Sequence, residues 1–371
     1  MKFTCEKYEL QNAVTVAMRA AASKSPIPAL EGILINAEPD SVKITGFDLK
    51  KGIYTTIDAN VRECGSIVLS AKLFGEMIRR MPDGTVSIEA DEKQLSVNVK
   101  CGQSEYNFIG ISPEEYPELP SVDKINNIVL PQTILKNMIT KTIFAVSDSE
   151  VRPVYTGILF EVEDKQLTLV AVDGYRLAKR VESIDSGKLE NCTFIVPGTT
   201  LTDVERICND EGGDVEIAVG AKHVSFVIGN TVVVSRRLEG DFLNYRRSLP
   251  TVFENTVKVN RAEFMEAIER VAIIVSEKNS NPVRLHITSG KIELLCLTPI
   301  GRADDICLCE GGQELEIGFN SRYLMDALKA ATDEELLVDF NTASSPCVIC
   351  APDSNESYRY MILPVRLRAD V

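Results

Sequence analysis

Three stretches of this chain open alike, with a short alternation of polar and apolar residues followed by apolar residues at helical spacing. In the first, Lys2–Thr4 alternates, and Leu10, Val14 and Met18 follow at intervals of four. In the second, Ile128–Leu130 precedes Pro131, whose fixed φ suits a first helical position, and then Ile134, Leu135, Met138, Ile139, Thr142 and Ile143. In the third, Val257–Val259 leads into Phe264, Met265, Ile268, Val271, Ala272 and Val275. Each pattern predicts a helix with one buried face.

The likeness continues past these helices. Gly32–Ile35 and Gly157–Phe160 match as strands, with Val283–Ile287 in the third copy. A further strand follows in each: Val42–Thr45, Leu167–Val172 and Ile292–Thr298. Second helices are predicted on the faces Leu73/Phe74/Met77/Ile78, Leu201/Val204/Ile207/Cys208 and Tyr323/Leu324/Ala327/Leu328. Gly32 and Gly157 are 125 residues apart, and Leu201 and Leu324 are 123 apart, so one repeat length accounts for the whole chain. After each second helix the period falls to two, as in Val86/Ile88, Leu95/Val97/Val99 and Val215/Ile217/Val219. Such alternation predicts antiparallel sheets with one wet face.

The fold class is therefore α+β, in three tandem domains, each a doubled strand-helix-strands unit. Proline-rich joints at Pro113–Pro120 and Tyr245–Pro250 set the expected boundaries at 1–122, 123–250 and 251–371.

Hydrophobic content of 44% with 25% charged residues fits a folded globular chain. The opening MKFTCEKYEL carries charges where a signal peptide needs an apolar run, and no stretch is apolar enough to span a bilayer. A cytoplasmic protein is expected. The ten cysteines include Cys307 with Cys309 and Cys347 with Cys350. Cys347–Cys350 reads as a strand, and the only histidines are His223 and His286, so buried thiols rather than a zinc site are expected.

No phosphate loop, dinucleotide fingerprint, zinc-protease or nucleophile-elbow motif is present, and no cofactor is expected. The acidic candidates for a metal-dependent phosphoesterase are Asp48, Asp173, Asp304 and Asp305. Asp48 and Asp173 follow corresponding strands, which a shared aspartate-closed turn explains more simply than a two-metal site. The net charge of −14 argues against a uniformly basic surface. The six predicted helices are nevertheless net positive together, through Lys72, Arg79 and Arg80 in the first copy and Lys136 and Lys141 in the second. Charge segregated in this way permits loose contact with phosphates and no base readout.

This organisation resembles the beta subunit of bacterial DNA polymerase III, the sliding clamp family. The resemblance rests on Met1–Thr4, Thr45–Leu49, Asp173–Ala178, Glu239–Phe242 with Arg246-Arg247, Glu316–Asn320 and Leu363–Leu367, in family order and spacing. It implies a head-to-tail homodimer forming a ring, with sheets outside and two helices of each domain lining a central channel for duplex DNA. It further implies a non-enzymatic role, tethering DNA polymerase, clamp loader and repair proteins through short linear peptides. By family position the peptide pocket is Val172, Gly174, Tyr175, Arg176, Leu177, Leu243, Arg247, Ser248, Met361, Leu363, Pro364, Val365, Arg366 and Leu367. Arg176 and Arg247 are expected to meet polar groups of the peptide, although the residues by themselves favour packing of an inter-domain joint. The dimer interface would join Phe74, Ile78, Tyr106 and Phe108 to Ile273 and Ile274. Lys24 and Arg152 join the helix cations as DNA contacts; Pro153 and Val154 stand where some members carry tyrosines. The tail 368–371 is expected to brush the pocket rim.

Three readings follow: a DNA-encircling tether, a metal-dependent phosphoesterase, and a repeat-built scaffold that does not bind DNA.

Overall fold

The computed structural model of the chain describes residues 1–367 apart from 124, 185–189, 276–281 and 353–356; the tail expectation lies outside the described residues. Among these, seven helices appear: α1 (Lys7–Ala17), α2 (Ala71–Arg80), α3 (Gln132–Thr140), α4 (Gly198–Ile207), α5 (Tyr245–Ser248), α6 (Arg261–Ala272) and α7 (Ser321–Ala330). Every strand pair among the described residues is antiparallel.

The chain forms two compact units. One is built on Met1–Lys136 and Thr199–Arg237, and the other takes the remaining described residues. In the first unit, a five-stranded sheet runs in the order Asn60–Glu63, Lys2–Glu6, Thr85–Asp91, Ser96–Cys101, Ser104–Ile109. An eight-stranded sheet joins two copies: the last strand of copy two, Thr231–Arg236, pairs with Lys51–Asp58 of copy one. In the second unit, one twelve-stranded sheet makes the corresponding junction, with Tyr358–Ile362 of copy three on Arg176–Ser183 of copy two. The repeat therefore reproduces its joint as well as its elements.

Alternation explains which side of each strand is buried. Phe3, Ile33, Ile35, Ile44, Ile88 and Val99 point into one core with Leu10, Val14, Phe74 and Ile78 of α1 and α2. Helix α1 buries Leu10, Ala13, Val14 and Ala17, the spacing of one helical face. Asn260 and Asn320 close the starts of α6 and α7 by accepting the Glu263 and Arg322 N–H groups.

The sequence expectation fails at several helix ends. Pro131 ends the strand Asn126–Pro131 rather than opening α3. That strand lies at a sheet edge, where a missing N–H breaks no ladder bond. Met18 and Ile143 fall in 3-10 turns, and Val275 lies beyond α6. Leu73 is 53% exposed, because the buried arc of α2 is completed by Ala71, Phe74, Met77 and Ile78.

Phe74→Ala is expected to destabilise by about 3–5 kcal/mol and Leu73→Ala by under about 1 kcal/mol. Urea unfolding of the two variants checks this, and the reverse order would contradict the assignment of faces.

Candidate peptide-binding groove and basic surface

The hairpin between Gln166–Val172 and Arg176–Ser183 turns on Asp173. Its Oδ1 accepts the main-chain N–H groups of Tyr175 (2.9 Å) and Arg176 (3.0 Å). Gly174 takes φ +94°, a conformation that suits glycine. Asp48 closes the first-copy hairpin in the same way, accepting from Lys50 (2.8 Å) and Lys51 (2.6 Å). The shared-turn reading of the two aspartates is thus what the structure displays. Asp304 pairs with Arg302 (3.2 Å), and Asp305 pairs with Arg270.

The Tyr175 ring, 62% exposed, stacks on Tyr323 of α7 with centroids 6.2 Å apart. The Tyr175 carbonyl accepts the Leu363 N–H (2.8 Å), and the Gly318 carbonyl accepts the Val365 N–H (2.8 Å). Leu363–Leu367 is therefore laid between the hairpin and the strand Leu315–Phe319. Gly318 leaves room for the Leu367 side chain, whose Cδ2 would lie 2.4 Å from a Cβ built there. Beneath lies a buried apolar floor of Val172, Leu177 and Met361, continuous with Leu159, Val170, Tyr245, Leu249 and Val348. Half-buried Val154, Tyr155, Phe242 and Leu243 pack onto that floor, with Tyr155 edge-on to Phe242. Leu363 and Val365 keep 36% and 38% of their surface. The result is a packed apolar cluster beside two partly exposed apolar side chains, chemistry that suits apolar side chains of an extended peptide.

Within the expected pocket set, Val172, Leu177, Leu243 and Met361 come together in this cluster. Gly174, Tyr175, Leu363, Pro364, Val365 and Leu367 form the adjoining hairpin and terminal segment. Arg247 and Arg366 are exposed and Ser248 is half-buried. Arg246, next to Arg247 on α5, instead binds Glu161 (2.8 Å) and Glu163 (2.6 Å). Burial and the Glu161 carboxylate hold the neighbouring Tyr245 phenol well above its usual range. Arg176 departs from expectation. Its side chain is buried, bound to Asp173 (2.8 Å) and Asp326 (2.6 Å), and lies over the Tyr323 ring at 4.5 Å. In this position it braces the hairpin against α7. Tyr323, Gly318, Tyr155 and Phe242 adjoin the expected set and were not foreseen there; the only signal for Tyr323 was its place on the apolar face of α7.

Comparison with known proteins decides the family. Models of the DNA polymerase III beta subunit match in order: its N-terminal domain at residues 1–120, its central domain at 129–244 and its C-terminal domain at 246–366. The chain belongs to the DNA polymerase III beta subunit family. The beta sliding clamp of Bacillus subtilis is 34% identical over 378 residues, covering 99% of this chain and all of that one. The crystal structure of the DNA polymerase sliding clamp from the same species superposes with a TM-score of 0.95, at 34% identity over 99% of this chain and 100% of that one. A Pseudomonas aeruginosa sliding clamp bound to griselimycin gives 0.94 at 26% identity, over 99% of this chain and 100% of that one. This chain is thus a sliding clamp for DNA polymerase III, folded as three tandem clamp domains.

The cations expected at the clamp's DNA surface fare unequally. Helical spacing gathers Lys72, Arg79 and Arg80 on the solvent side of α2, where Glu76 binds Arg79 (2.6 Å) and Arg80 (3.4 Å). Lys24 and Arg152 are exposed on loops, with Arg152 over the Tyr155 ring at 5.7 Å. Lys136 is half-buried and bound to Asp210 (2.8 Å), whose carboxylate raises its pKa. Lys141 is buried, bonded to Thr332 (2.9 Å) and set over the Tyr358 ring. Its ammonium is thus turned toward Thr332 rather than to solvent, unlike the exposed cations of α2.

The expected interface set divides as well. Phe74 and Ile78 are fully buried in the first-copy core and present no surface, because α2 turns them inward. Tyr106 is 39% exposed and Ile273 is 79% exposed, while Phe108 and Ile274 are half-buried.

Burial, and then the nearby Arg180, lower the Lys141 pKa. The unfolded chain therefore holds this proton at pH values where the native state has released it. Stability contributed at this site rises with pH between the depressed value and the ordinary lysine value of about 10.4. Relative to Lys141→Met, wild type should gain stability across that window in urea unfolding. A pH-independent difference would show that the ammonium is not desolvated.

Proposed function

We propose that this sliding clamp closes head to tail with a second copy into a ring around duplex DNA, performs no chemistry, and tethers partner proteins through the groove. The observation that carries this reading is the pair of strand edges left over by the repeat. Within the chain, the last strand of each following copy pairs with the hairpin return strand of the copy before it. Two such edges remain open among the described residues. Ser104–Ile109, the last strand of copy one, is the outermost strand of its sheet. Gly301–Gly311, the return strand of copy three, meets Asn255–Asn260 only at Cys309–Gly311 among the described residues. Apolar groups line both edges: Tyr106 and Ile109 on one, Ile306 and Leu308 on the other, each at least 39% exposed.

Exposed edges seek partners, and a heterologous contact whose rotation closes gives a ring. Within that ring the domains run 1–122, 123–250 and 251–371, and their helices line the channel. Lys24, Lys72, Arg79, Arg80 and Arg152 supply loose, salt-sensitive phosphate contacts, so topology rather than affinity retains the DNA. Asp48 and Asp173 are consumed in closing turns, which favours a tether over a two-metal phosphoesterase. The groove takes short linear peptides of polymerase, loader and repair partners, raising their concentration at DNA.

Loaded onto circular primed DNA by a clamp loader, the protein should remain bound through a high-salt wash and leave when the circle is cut. Equal loss from circular and linear DNA would refute encirclement. At the groove, Tyr175→Ala should weaken binding of a labelled clamp-binding peptide about tenfold with no shift in the urea midpoint, since the ring is exposed rim. Unchanged peptide affinity would remove the hairpin from the binding site.

A further inference from the structure

The hairpin closed by Asp173 has a counterpart in every copy. The three hairpins pair Phe47 with Gly52, Val172 with Leu177 and Leu297 with Arg302, a constant step of 125 residues. Asp48, Asp173 and Thr298 thus occupy one position, and each accepts a main-chain N–H two residues on, Thr298 from Ile300 at 3.3 Å. The first residue of the return strand is then Lys51, Arg176 or Gly301.

The second helices align equally well. Helices α2, α4 and α7 are each ten residues long, and their sixth residues are Glu76, Asp203 and Asp326. Lys51 is bound to Asp203, with side-chain exposures of 10% and 11%, and Arg19 stands 3.6 Å from the same carboxylate. Arg176 binds Asp326 at 2.6 Å. In both cases the cation of one copy grips the acid at the same helical position of the next.

We propose that this cation–carboxylate pair is a clasp fixing each domain joint within the chain, and that the joint between chains is built without it. The leftover positions carry the second half. Gly301 has no side chain to give, and Glu76 is exposed and held by Arg79 and Arg80 of its own helix. A pair largely held out of water fixes geometry because removing one partner strands the other charge; Arg176 is 8% and Asp326 29% exposed, whereas paired edges and the apolar groups on them hold chain to chain. This half rests on the head-to-tail dimer proposed above.

Two measurements on the full chain test it. In urea unfolding, Arg176→Met, Asp326→Asn and their double variant should be non-additive by about tenfold in the unfolding constant, and so should Lys51→Met with Asp203→Asn. Arg176→Lys and Lys51→Arg, which keep the charge, should recover part of the loss and serve as references if a Met variant fails to fold. Additive effects at either pair would overturn the clasp. In sedimentation, Glu76→Gln should leave the dimer dissociation constant within about twofold of wild type; a tenfold weakening would overturn the unclasped seam. A wild-type chain that stays monomeric removes the dimer reading and the seam with it, while the unfolding cycles still decide the clasp.

Discussion

Main-chain hydrogen bonding at sheet edges is the constraint on which the rest of this structure depends. A strand left at an edge carries unpaired N–H and C=O groups that invite another strand. The chain meets this demand twice internally, by setting Thr231–Arg236 on Lys51–Asp58 and Tyr358–Ile362 on Arg176–Ser183. Each joint extends one antiparallel sheet from one copy into the next. The second joint also assembles the candidate site. Met361 and Leu363 lie beside the Asp173 hairpin only because the strand Tyr358–Ile362 pairs along Arg176–Ser183.

Chemistry at the site is subordinate to that packing. The carboxylates that resemble catalytic acids close turns or balance arginines, and Arg176, bound to two aspartates, braces a hairpin. The Cys347 and Cys350 pair behaves likewise. Burial pushes the Cys350 thiol up to about 12 and holds Cys347 higher still, on the strand Cys347–Cys350 that the sequence led us to expect. These thiols are packing groups, unionised at neutral pH.

The repeat, its strands and six of its helices were legible because burial leaves a periodic trace, and a step of about 125 residues repeats that trace. The shared turn of Asp48 and Asp173 was legible for the same reason. Side-chain allegiance was not. Lys141 and Lys72 look alike as charges on helices, yet one is buried against Thr332 and the other faces water. Phe74 and Ile78 look like interface residues because an apolar side chain reads the same whether its neighbours come from its own core or from another chain. Arg176 looked available because Asp326, 150 residues away, leaves no local mark beside it. Pro131 misled because its fixed φ is accepted both at an edge-strand end and in a first helical turn.

The most direct test of the account is amide hydrogen exchange at Ser104–Ile109 and Gly301–Leu308, measured across a dilution series alongside solution mass. If the two open edges pair between chains, both segments are protected where the mass is twice 40.9 kDa and lose protection together as the dimer dissociates. Rapid exchange at either segment in the intact dimer would contradict head-to-tail edge pairing and leave the association to some other surface.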